Sequence, residues 1–171
     1  MKHALGVAIS PSPGIELLRP AAIGVALAVF CFVVWTLVRI ALIAAGLCVS
    51  SVAIGQDATT LEIFFDLIGS IIIAPVLESV VILLMLGKNP NQEYSIRCAA
   101  ICFFLTLIHV PFRDCFDSVL PIFIAFSFYV TYAVKRSRIT IRRNVLMEIS
   151  VMHAIYNANS LLISVFIKIL E

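Results

Sequence analysis

Five long apolar stretches separated by short polar segments organise this chain of 171 residues. They cover about residues 21–49, 61–86, 95–110, 119–134 and 144–170. Each is nearly free of charge over about sixteen residues or more, and none shows the strict alternation of a half-buried strand. Stretches of this length suit membrane-crossing helices, which rise 1.5 Å per residue through a hydrocarbon core of about 30 Å. The pattern therefore predicts an all-α fold, a polytopic transmembrane bundle of about five spanning helices in one domain, residues 1–171. The first stretch is long and contains Trp35 and Arg39, so it is expected to tilt or to extend past the bilayer. It starts too late and runs too long for a cleaved leader and is read as a retained helix. Pro75 interrupts the second stretch, and Pro111 closes the third.

Composition agrees with the pattern. The chain is 62% hydrophobic and 13% charged, and its mean hydropathy of +1.11 lies far from that of soluble domains. A net charge of +2 gives no footing for nucleic acid. The lipid bilayer is the expected partner. Lysine and arginine are clustered. The N-terminal arm has Lys2 and Arg19, the first loop has neither, the second has Lys88 followed by Arg97, and the third sets Arg113 against Asp114 and Asp117. The fourth, KRSRITIRR, holds Lys135, Arg136, Arg138, Arg142 and Arg143. By the positive-inside rule this places the N-terminus in the cytoplasm and the C-terminus outside. The basic loop is read as a topology determinant facing anionic headgroups. Cys31, Cys48, Cys98, Cys102 and Cys115 have no framework spacing, and Cys98 and Cys102, one turn apart, read as small core residues before metal ligands.

Against this background the ionisable residues inside apolar stretches carry information, because each costs at least ~2.5 kcal/mol at a helix centre on insertion scales. Glu78 follows Ala-Pro-Val-Leu, where Pro75 frees a carbonyl and is expected to open a kinked, water-holding cavity. Its plainer reading is a structural bond to the first span, for instance to Arg39. His109 stands two residues before Pro111; alone it reads as a histidine at a helix end. His153 and Asn157 are spaced i, i+4 and share a helix face. Together they suit two donors to an oxyanion, or a metal ligand with its neighbour, or a polar stripe bonding another helix. Glu62 and Asp66 read as interfacial. Depth counted from the basic end puts Glu78 at ~12 Å and His153 at ~14 Å, but His109 at ~21 Å, about two turns too far.

In order along the chain, APVLESVVIL, LTLIH and HAIYN resemble the three motifs of the CPBP intramembrane proteases, the CAAX prenyl endopeptidase or Abi family. The similarity covers about residues 72–162, within a family-like core of about 61–170, and leaves 21–49 as an extra N-terminal helix. The second glutamate of the first motif is Ser79 here, its arginine is Leu83, and the phenylalanine of the second motif is Leu105. The resemblance implies an intramembrane endopeptidase acting on a membrane-anchored protein or peptide. Glu78 and His109 would activate water that arrives from the cytoplasm, and His153 and Asn157 would steady the oxyanion. It also admits a Zn²⁺ on Glu78, His109 and His153. The losses at Ser79 and Leu83 suit an alternative, a non-catalytic protein of the same fold acting in bacteriocin immunity or scaffolding. A proton-relaying transporter is a third reading, against which the chain lacks an inverted repeat.

Overall fold

The computed structural model describes residues 13–47, 64–65, 67–87, 94–109 and 118–170. The loops and arms that carry Lys2, His3, Cys48, Glu62, Asp66, Lys88, Arg113, Asp114, Cys115 and Asp117 lie outside the described residues. All regular structure among the described residues is helical. The helices are α1 (Pro13–Ala44), α2 (Ala74–Leu86), α3 (Tyr94–His109), α4 (Val119–Ser137) and α5 (Arg142–Leu170), with a π-helical segment, Gly69–Ile73, running into α2.

The helix order agrees with the hydrophobic pattern. Among the described residues, three segments are long and apolar enough to cross a membrane: Leu17–Ala44, Gly69–Leu86 and Val119–Ser137. Helix α3 is shorter, and α5 carries Arg142, Arg143 and Glu148 in its first two turns. Helix α1 starts earlier than expected because Pro20 does not end it. Pro20 is fully buried inside the helix, where packing outweighs the one backbone bond it forfeits. At 32 residues α1 is about 48 Å long. Its outward face is apolar, with Val29, Phe30, Val33, Leu37, Ile40 and Ile43 each close to half exposed or more. A soluble monomer rarely leaves so long an apolar stripe in water, whereas acyl chains would cover it.

A four-residue turn joins α4 to α5, closed by the Ile139 and Thr140 amides donating to the Arg136 carbonyl, each at 3.0 Å. The two helices are therefore antiparallel neighbours. An ion pair fastens the turn: the Arg136 guanidinium grips both carboxylate oxygens of Glu148, and the Tyr132 hydroxyl donates to Oε2 at 2.9 Å. Glu148 is 5% exposed, so it needs this full set of donors. Arg142 donates to the Leu83 carbonyl in the last turn of α2. Two of the basic residues expected to face headgroups thus also hold bonds within the bundle, Arg136 half-buried and Arg142 still exposed. Gly87 caps α2 with φ 71°, a conformation suited to glycine.

Helix α1 lies along α5, with further contacts to α4. Gly24 makes the close approach possible: a Cβ there would sit 2.5 Å from the Met152 carbonyl oxygen. The core fills the space among α1–α5, with Leu27 and Cys31 from α1, and is tightest at Ile82, Tyr129, Val130, Val145, Ile149 and Met152, all fully buried.

Candidate functional site

The second apolar segment changes helical register where Pro75 cannot donate. The Ala74 amide bonds to the Gly69 carbonyl, five residues back. In that π register the next donor would be Pro75, and its acceptor Ser70. Proline has no N–H, so another donor must serve the Ser70 carbonyl. Asn157 of α5 does so, its Nδ2 lying 2.7 Å from the Ser70 oxygen. Pro75 thus acts through a widened turn at the start of α2, where π-bulges commonly attend functional sites.

One turn further on, Glu78 points between two imidazoles. His109 Nε2 lies 3.3 Å from Glu78 Oε1, and His153 Nε2 lies 3.5 Å from Oε2. Glu78 does not pair with Arg39, whose guanidinium sits 5.0 Å over the Trp35 ring. His109 reaches the carboxylate despite its apparent excess depth. Gly87, just past α2, lies beside the Arg97 guanidinium of α3.

The His109 tautomer follows from its second contact. Nδ1 is 2.7 Å from the Leu105 carbonyl oxygen. A carbonyl only accepts, so Nδ1 carries the proton. A neutral His109 then presents the Nε2 lone pair to Glu78. Favourable contact between these two acceptors requires one proton on the pair, held either as imidazolium facing carboxylate or as imidazole facing carboxylic acid. His153 is 5% exposed, and its Nδ1 has no hydrogen-bond partner. Glu78 Oε2 has none either, since 3.5 Å without donor alignment is an electrostatic contact and not a hydrogen bond.

Aromatic rings hold the imidazoles. The Phe126 centroid lies 5.1 Å from that of His109 and 5.9 Å from that of His153, and the Tyr129 ring lies tilted at 4.6 Å from His153. Glu78, His109, His153 and Asn157 all line one cavity of about 360 Å³, together with Ser70, Tyr129 and Tyr156. The Tyr129 hydroxyl is another buried polar atom without a partner. So the four residues singled out from the sequence are brought together. The aromatic wall was missed, although Phe126 and Tyr129, three apart on an apolar helix, share a face. Glu148 was missed too. Its signal was an acid inside an apolar stretch, twelve residues after Arg136 across a tight turn.

Ser79 and Leu83 lie away from the cavity. Ser79 is fully buried, its hydroxyl donating to the Pro75 carbonyl at 2.6 Å, and Leu83 is 8% exposed in the core. Cys102 is buried and Cys98 half-buried against the same core, as expected of small apolar residues. No family model, curated protein or solved structure matches this chain.

Two imidazole nitrogens and a carboxylate are the donor types of a hydrolytic zinc site. Among the described residues, however, no group of three or more His, Cys, Asp or Glu is arranged to hold a metal ion. His109 Nε2 approaches Oε1 of Glu78 and His153 Nε2 approaches Oε2, at 3.3 and 3.5 Å. No step below runs through a metal.

Proposed function

We propose that the chain is a multi-pass membrane protein with a cytoplasmic N-terminus, and that its bundle houses an intramembrane endopeptidase of the CPBP type. The observation that carries this reading is the Glu78 carboxylate held between His109 and His153 at the inner end of a cavity. A half-buried acid flanked by two imidazoles inside an apolar bundle is costly to keep for stability alone and is suited to moving protons.

In the imidazolium–carboxylate state of the pair, a water beside Glu78 gives one proton to the carboxylate as its oxygen attacks the peptide carbonyl carbon. The carbonyl π electrons move to oxygen, forming a tetrahedral oxyanion. The His109 Nε2 proton then passes to the amide nitrogen, the C–N bond breaks, and acid and amine products leave. The proton taken by Glu78 returns to His109 and restores the pair. His153 holds the far side of the carboxylate. Asn157 Nδ2 carries two hydrogens and uses one on Ser70; the other is assigned to the oxyanion.

The test is turnover of a quenched, membrane-anchored peptide by the purified protein in proteoliposomes, with Glu78→Gln beside it. Gln keeps the shape but cannot take the proton of water, so turnover should vanish while the melting temperature holds or rises. Full activity in Glu78→Gln rejects Glu78 as the base. A second reading is a non-catalytic protein of the same fold, which serine at position 79, in place of the second motif glutamate, favours. It takes over if wild type cleaves nothing and Glu78→Gln changes only the melting temperature.

A further inference from the structure

The cavity has a direction. On α2, α4 and α5 its lining residues nearest the α4–α5 turn are Glu78, Tyr129 and His153. Every other lining position on those helices lies towards one end of the bundle: Ser70 and Ala74 before Glu78, Ile122 to Phe126 before Tyr129, Tyr156 to Leu161 after His153. Towards the opposite end the same helices contribute only packed core, with Ile82, Leu86, Val130, Val134, Val145 and Ile149 all 5% exposed or less. Among the described residues, the polar floor is therefore stoppered on one side and the cavity extends towards the other.

The stoppered side is the basic one. Lys135, Arg136, Arg138, Arg142 and Arg143 occupy the α4–α5 turn there, and Arg97 lies beside Gly87 at the end of α2. At the other end stand Arg39 in the last turns of α1 and Lys168 in the last turn of α5. Measured along α5 from Arg142, His153 is ~16 Å in and Leu161 is ~28 Å in. In a hydrocarbon core of about 30 Å that sets the floor near mid-depth and the mouth at the far interface. The positive-inside rule assigns the basic end to the cytoplasm.

We propose that Glu78 is reached from the non-cytoplasmic face, and that the substrate is a peptide segment displayed on that face next to its membrane anchor. This rests on the endopeptidase reading for the word substrate, and it reverses the cytoplasmic water entry expected from the sequence. The apolar plug is the reason: water or a polar peptide entering from the basic end would have to part side chains with no space between them.

Access can be measured without turnover. In a Cys48→Ser, Cys115→Ser background, Ser160→Cys marks the mouth and Ile139→Cys, 72% exposed, marks the basic turn. On intact cells a membrane-impermeant maleimide should label Ser160→Cys and spare Ile139→Cys; permeabilisation should expose both. Labelling of Ile139→Cys from outside, or of Ser160→Cys only after permeabilisation, overturns the proposal. Reporter peptides anchored on either face supply the second arm, in which wild type should cleave the outer one. Cleavage of the inner reporter alone overturns the proposal while leaving Glu78 as base. Outside labelling with neither reporter cut supports outer access and rejects the endopeptidase reading instead.

Discussion

Gly24 offers the sharpest test of how the bundle is packed. Replacing it by Ala places a Cβ 2.5 Å from the Met152 carbonyl oxygen, and 3.1 and 3.2 Å from Ile155 Cβ and Cγ2. Carbon–oxygen contacts settle near 3.3–3.6 Å, so the helices must part by about 1 Å at this crossing. The obstruction is backbone, which no rotamer change relieves. Forcing extra volume into a packed contact costs about 1–3 kcal/mol. Ala also gains about 1 kcal/mol over Gly in a helix, which partly hides the clash. Gly69→Ala supplies the reference, because a Cβ at Gly69 meets nothing within 4 Å. The difference between the two variants isolates the clash, and at about 2–4 °C per kcal/mol it is readable as melting temperature in proteoliposomes. Helix α1 contributes no residue to the cavity, whereas α5 is held by the Arg136–Glu148 pair and the Asn157–Ser70 bond. The helix that moves should be α1. Gly24→Ala should therefore melt below Gly69→Ala yet keep peptide turnover while folded. Equal melting temperatures refute the close approach. Loss of turnover in the folded variant refutes the claim that α1 is the helix that gives way.

Three further outcomes are expected. Arg136→Ala should cost about 3–5 kcal/mol by stranding Glu148, and Arg136→Met with Glu148→Leu should recover much of it in chemical denaturation. Pro75→Ala restores a donor near the Ser70 carbonyl, so Asn157→Ala should be milder in that background; a double-mutant cycle should show a coupling of about 0.5–3 kcal/mol, and strict additivity would reject the capping role. Because the proposed steps use only Glu78 and His109, chelation with EDTA should leave turnover unchanged; its loss with rescue by zinc would show that Glu78, His109 and His153 hold a metal.

The helices were legible because apolar length is a direct record of what a bilayer demands. The polar cluster was legible because an acid or imidazole in such a stretch stands out. What depended on pairs across helices was not. Arg136 read as one of a basic run because its partner Glu148 is reached only once the turn has folded. Gly24 looked like any small residue until α5 came against it. Ser79 and Leu83 stood out as departures from a motif, yet they face the core and leave the cavity's own residues unchanged.

The direction of the cavity also belongs to the pairings. Each helix alone carries apolar residues on both sides of its polar one, so no single stretch states which side is open. The difference arises from the register change at Pro75. Widening the segment before α2 brings Ser70 and Asn157 into contact across the cavity mouth, while from Ala74 onward a regular helix presents Ile82 and Leu86 to a continuous plug. The same proline that removes one hydrogen bond thus separates a polar, open half of the bundle from a dry, closed half. Asn157 joins these two roles, for it both caps the altered turn and lines the cavity that the turn creates.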